Sequence, residues 1–245
     1  MCTVVILHRP GHPWPLLLAA NRDERLDRAW DPPAAHWPGH PGVVGGRDRS
    51  GGGSWMAMGA RVVAAALNRP GSLGPAPGKR SRGVLPLIAA SAPSAAAAVR
   101  HLVALDAGEW RPFNLVVADR DRAVFLRGLG HGHPEALGLP AGVHMVTAHD
   151  PDDPASPRIR RHLPHFRAAP APDPATGDWA AWEALLADDS TGPDGIADAL
   201  RVPPVEGFGT VSASLAALGA DGSRSWRFCP GPAGTAPFRP VALPG

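Results

Sequence analysis

The sequence predicts an α+β fold built mainly of antiparallel sheets, and three observations carry that prediction. Apolar runs of strand length are separated by Gly, Pro and Asp turns rather than by long helices. The elements come in blocks: strands, a helix pair, strands, a second helix pair, strands. Hydrophobic residues make up 44% of the chain and include eight Trp and six Phe, enough to fill a core. Gly and Pro (29 and 30 of 245 residues) approach the proportion typical of low-complexity chains, yet they fall largely at turns. The length suits one domain spanning residues 1–245.

In chain order, residues 4–7 and 16–20 read as a hairpin turning through Pro10–Pro15. A charged segment over 21–31 and a Pro-rich loop to Pro41 follow. Residues 55–58 and 62–67 form a second hairpin around Gly59 and Ala60, and 70–82 read as an exposed loop. Helices are expected over 83–91 and 94–105. Ser94 caps the second, whose Ala95, Ala98, Val99, Leu102 and Val103 share one face. Residues 113–118 and 123–126 pair through a turn at 119–121, and 143–148 make another strand. Two further helices fall at 157–167 and 178–187, and a last hairpin joins 209–218 to 226–228.

Charge is nearly balanced, 24 basic against 22 acidic residues, with arginines scattered rather than interleaved with aromatics, so no nucleic-acid partner is expected. The densest basic cluster (Arg158, Arg160, Arg161, Arg167) follows Asp150, Asp152 and Asp153, an order that suits a helix dipole. No apolar run reaches the length of a membrane span, and no basic leader precedes the first strand, which points to a cytoplasmic protein with reduced thiols. Two cysteines exclude a disulfide-stapled mini-fold. No metal site is expected: His131 and His133 lack a third ligand, and Pro38 forbids the helix that would align His36 with His40.

Cys2 is the most informative residue. Removal of Met1 leaves its α-amine beside its own thiol, a base and a nucleophile on one residue. A hairpin returns the chain to its start, so Asn21, Arg22 and Asp23 of the Asn-Arg-Asp-Glu run at 21–24 fall near Cys2. Arg22 is placed to lower the thiol pKa and Asp23 to orient the ammonium.

With these motifs on the page, the chain resembles the NRDE family, also called the transport and Golgi organisation protein 2 family. The match runs over nearly the whole length: Met-Cys-Thr at the start, Asn21–Glu24, Gly51–Trp55, Leu67–Pro70, Ser81–Gly83, Phe113–Asp119 and Phe208–Ser214. The resemblance implies a four-layer αββα sandwich similar to N-terminal nucleophile (Ntn) hydrolases. It implies Cys2 as nucleophile, acting on an amide or thioester of a small molecule without a cofactor. Arg22 and Asp23 are then its Arg/Asp pair, and Asn21, Asn68 and Asn114 complete the candidate site, the last two as oxyanion donors. The same family is implicated in haem mobilisation, which makes haem the alternative ligand, with Cys2, His8 and Cys229 as candidate axial ligands and His144 and His149 in reserve. A binding scaffold for acyl-coenzyme A or lipid is a third reading.

Overall fold

The computed structural model describes residues 2–72 and 77–245. Among these, the chain forms β1 (Thr3–His8), β2 (Leu16–Arg25), β3 (Trp30–Ala34), β4 (Val44–Asp48), β5 (Ser54–Met58) and β6 (Val63–Asn68), then α1 (Val84–Ala90) and α2 (Ala95–Leu102). It continues through β7 (Phe113–Ala118), β8 (Ala123–Gly128), β9 (Glu135–Leu139), β10 (Gly142–Val146), α3 (Pro157–Ala168), α4 (Ala180–Leu186), β11 (Phe208–Leu218), β12 (Arg224–Cys229) and β13 (Arg239–Pro240). These are the mixed α+β class and antiparallel sheets expected. Part of the loop anticipated over 70–82, residues 73–76, lies outside the described residues. No helix among the described residues is long and apolar enough to cross a membrane.

The chain divides into two compact units, Met1–Asp27 with Ala141–Val241, and Arg28–Pro140 with Ala242–Gly245. The first unit holds a six-stranded antiparallel sheet in the order β10-β1-β2-β11-β12-β13. Every residue of β1 is buried. Alternation sends Val5, Leu7, Leu17, Ala19, Leu215 and Ala217 to one face, where they pack with Ile159, Leu163 and Phe166 of α3 and Trp182 and Leu186 of α4. Phe166 meets Trp182 edge to face at 5.4 Å between ring centroids. Pro157 opens α3 and the Ser156 hydroxyl accepts from Ile159 N, so this helix starts where its sequence predicts.

The second unit is a seven-stranded meander, β3 to β9 in chain order. Leu85 and Ala89 of α1 and Ala95, Ala98 and Leu102 of α2 pack on its Val62, Ala64, Leu115, Val117 and Leu126. Ser94 caps α2 as expected, accepting from Ala97 N. Two sequence motifs meet here. A Cβ at Gly53 would lie 2.4 Å from the Gly83 carbonyl carbon, and Ser54 N donates to Gly83 O at 2.9 Å. Only glycine permits that approach of two backbones.

Three differences from the sequence reading have physical causes. The Asn-Arg-Asp-Glu run is strand rather than loop, because β11 extends the ladder to Arg25 opposite Phe208. β3 and β4 lie in the stretch read as charged segment and Pro-rich loop; β3 carries Pro32 and Pro33 but sits at a sheet edge, where a missing N–H is tolerated. β9 is exposed along four of its five residues, which removes the apolar alternation that marks a strand.

Candidate active site

β1 and β2 run antiparallel with Thr3 opposite Asn21, so the next position outward sets Cys2 beside Arg22. Period-two alternation sorts the neighbours. Thr3, Asn21 and Asp23 point to the face covered by α3 and α4, while Arg22 points to the other. Cys2 is half-buried, and its thiol donates to the Asp23 backbone carbonyl at 3.5 Å.

Asp23 is the fixed point of the site. Its side chain is wholly buried, and each carboxylate oxygen has its own donor: Arg158 Nη1 to Oδ2 at 2.9 Å and Thr210 Oγ1 to Oδ1 at 2.6 Å. The same Arg158 nitrogen donates to Thr3 Oγ1 at 2.9 Å, and Thr210 Oγ1 accepts from Val202 N at 2.8 Å. A bulge between Thr210 and Ser212 sets Thr210 opposite Asp23 and Ser212 opposite Arg22. Arg22 is itself buried, with Nη2 3.9 Å from Glu24 Oε2.

The thiol is not acidic in this environment. Burial pushes the Cys2 pKa up, the Asp23 carboxylate adds to the rise, and Arg22 opposes it with a smaller effect. The activation expected from Arg22 is thus outweighed, because a low-dielectric setting and a nearby anion both penalise a thiolate.

The other candidates each have partners within their own unit. The Asn21 amide donates to Leu186 O at 3.0 Å and Leu200 O at 3.1 Å, fastening strand to helix on the Asp23 face. Asn68 and Asn114 belong to the second unit. Asn68 ends β6 opposite Phe113, and Asn114 is fully buried with its Oδ1 accepting from Arg69 Nη1 at 2.6 Å. The Leu67–Pro70 and Phe113–Asp119 motifs therefore lock to each other. Cys2, His8 and Cys229 do not converge. His8 closes the opposite end of β1, about 20 Å from Cys2 at strand rise. Cys229 is fully buried in the core under α3 and α4, with its thiol donating to Ala236 O at 3.2 Å. His144 and His149 are also engaged: His144 Nδ1 lies 2.7 Å from Asp152 Oδ2, and His149 Nδ1 lies 3.6 Å from Asp153 Oδ2. Among the described residues no group of three His, Cys, Asp or Glu could hold a metal ion.

Sequence reasoning missed Arg158, Thr3 and Thr210. Arg158 was read with its neighbours as dipole compensation, yet it is buried while Arg160 is exposed. The available signal was its place two residues after the capping Ser156, facing the same side as Ile159 and His162.

Each unit is thus a helix-backed antiparallel sheet, and Cys2 precedes the first strand of the first. Among solved structures the chain is similar to a Caenorhabditis elegans N-acylethanolamine-hydrolyzing acid amidase ortholog, an Ntn hydrolase, with a TM-score of 0.53 over 87% of this chain and 92% of that one. The two share 12% identity, so the likeness bears on the fold alone. The family model of Transport and Golgi organisation 2 matches residues 1–176, and the chain belongs to that family. A search of curated proteins returned no match.

Proposed function

We propose that the protein is a hydrolase whose nucleophile is the Cys2 sulfur, made N-terminal by removal of Met1, acting on an amide or thioester of a small molecule. The observation that carries the reading is Cys2 held against Asp23, whose carboxylate is itself immobilised by Arg158 and Thr210. With Met1 gone, the α-amine takes the thiol proton and sulfur bonds to the substrate carbonyl carbon. Collapse of the tetrahedral adduct breaks the C–N or C–S bond, and the ammonium proton passes to the leaving group. Water then gives a proton to the same amine and adds to the thioester, the S–C bond breaks, and the ammonium returns the proton to sulfur. Asp23 holds in place the ammonium that forms within each half-reaction, the task for which a clamped carboxylate is suited.

The raised thiol pKa favours this reading over a free thiolate: a sulfur that stays protonated needs a base, and the α-amine is the base it would have. The fold resembles that of an N-acylethanolamine-hydrolyzing acid amidase ortholog, which supports an amide as the first substrate class to try.

Intact-mass spectrometry of the native protein incubated with acyl p-nitroanilides tests the reading. The expected result is a chain lacking Met1, with one acyl adduct that maps to Cys2 and disappears in Cys2→Ala. Turnover by protein that retains Met1, or an adduct on any other residue, would sink it.

A further inference from the structure

The two faces of β11 differ in kind. Toward α3 and α4 it presents Ala213, Leu215 and Ala217, all in the core. The other face, which alternation gives to Cys2 and Arg22, carries Ser212 and Ser214. Ser212 stands opposite Arg22, and Ser214 stands opposite Ala20, which faces Val4 on its far side. Cys2, Arg22 and Ser212 therefore form one row across the sheet, and Val4, Ala20 and Ser214 form the next.

Exposure along these rows is uneven. Val4 and Ser214 are buried on either side of Ala20, yet Ala20 itself is only partly covered, as is Cys2. A methyl group left open between two buried neighbours, on a central strand, is the floor of a recess. The serines supply its polar side. They are 1% and 3% exposed, and neither Oγ has a hydrogen-bond partner among the described residues. Neither oxygen is sealed off, so both are within reach of a ligand. The hydroxyls on the opposite face are all engaged: Thr3 accepts from Arg158, and Thr210 donates to Asp23. A buried hydroxyl without a protein partner is costly to retain unless something else pairs with it.

We propose that this recess receives the acyl part of the substrate, and that Ser212 and Ser214 bind an uncharged hydrogen-bonding group on it, such as a carboxamide. The inference rests on Cys2 as nucleophile and adds a substrate class to that reading. β1 and β11 flank β2, so they lie two strand spacings apart, about 10 Å. A sulfur–carbon bond at one end and a hydrogen bond at the other leave a spacer of about three or four bonds. An N-acylglycyl group places its amide oxygen at that separation from the reacting carbonyl. A hydrocarbon chain of the same length would cover the hydroxyls and leave them unpaired.

N-Acetylglycyl p-nitroanilide and its hydrocarbon isostere, 4-methylpentanoyl p-nitroanilide, compared by p-nitroaniline release, test the assignment. The amide-bearing group should be favoured in kcat/KM by at least about tenfold, the scale set by an unpaired buried polar group. Ser212→Ala combined with Ser214→Ala should bring the ratio close to one without lowering the urea midpoint of unfolding. A lowered midpoint would assign the hydroxyls to the fold and overturn the proposal. Nuclear magnetic resonance of the Cys2→Ala protein provides an arm independent of turnover. N-Acetylglycinamide should shift the amide resonances of Ala20, Ser212 and Ser214 saturably, and 4-methylpentanamide should not. Turnover without preference, or a preference that the double serine variant keeps, overturns the recess and leaves Cys2 as nucleophile standing. Saturable shifts from N-acetylglycinamide alone, without hydrolysis of either anilide by the wild type, uphold the recess and remove the nucleophile. Absence of shifts with N-acetylglycinamide, or equal shifts with both amides, overturns the recess outright.

Discussion

Two aspartates eight positions apart, Asp23 in the first unit and Asp31 in the second, are each held by arginine, and the pairs behave differently. Asp23 is fully buried and meets Arg158, whose side chain is 6% exposed, with Thr210 completing its shell. Asp31 meets Arg47 and Arg49, whose side chains are 42% and 59% exposed. The hydrogen bonds from Arg49 and Arg47 lower the Asp31 pKa to about 2, yet both cations keep much of their hydration. A buried pair surrenders solvation for a single geometry; an exposed one keeps solvation and gains little rigidity. Ion-pair chemistry alone does not mark a site. The site lies where the pair has been made unable to move.

Breaking the buried pair has the largest expected effect. Arg158→Met leaves a buried carboxylate without its cation and should lower the unfolding free energy by about 3–5 kcal/mol in urea titration. Adding Asp23→Asn to that variant should recover much of the stability while leaving acyl transfer to Cys2 absent, separating folding from chemistry. Thr210→Val comes next. It removes one donor to Asp23 and one acceptor for Val202 N, a loss of about 1–3 kcal/mol by the same measurement.

Thiol chemistry sharpens the contrast within the site. Because burial and Asp23 raise the Cys2 pKa, alkylation by iodoacetamide in protein that retains Met1 should be slow at neutral pH and still be rising at pH values where an ordinary thiol has levelled off. Arg22→Met should slow it further, since the only opposing side-chain charge is lost. Fully buried Cys229 should lag behind Cys2 throughout.

Asp31→Asn gives the smallest effect, and its pH dependence has a definite sign. A carboxylate whose pKa is depressed on folding contributes fully above its ordinary value near 4 and loses that contribution as pH falls toward about 2. Wild type and variant should therefore differ at neutral pH and converge in acid. Raising salt should shrink the Asp31 difference and leave the Arg158→Met difference nearly unchanged.

What could be read from the sequence follows from what each residue does alone. Hairpins and capped helices were legible because Val, Ile, Leu and Ser94 act over a few positions. Cys2 and Asp23 stood out because both belong to short ordered motifs. Arg158 did not, since a buried arginine and its exposed neighbours are written with the same letter, and its partner lies 135 positions away. Four polar residues in succession at 21–24 read as loop because a strand with polar side chains on both faces needs partners from other elements, and pattern does not supply them. β9 was hidden for the opposite reason: it is so exposed that its residues bear no imprint of a core.

The Asn21 amide holds both Leu186 O and Leu200 O, so the intervening stretch leaves and returns at one side chain. That stretch carries Ile196 and Ala197, both exposed. A segment whose two ends share one anchor can lengthen or shorten without transmitting the change to the sheet. Each doubling of such a segment costs about 0.6 kcal/mol of closure entropy. Insertion between residues 187 and 199 should therefore leave Cys2 and Asp23 in position. Asparagine at 21 thus uncouples the length of that loop from the strand that carries Asp23.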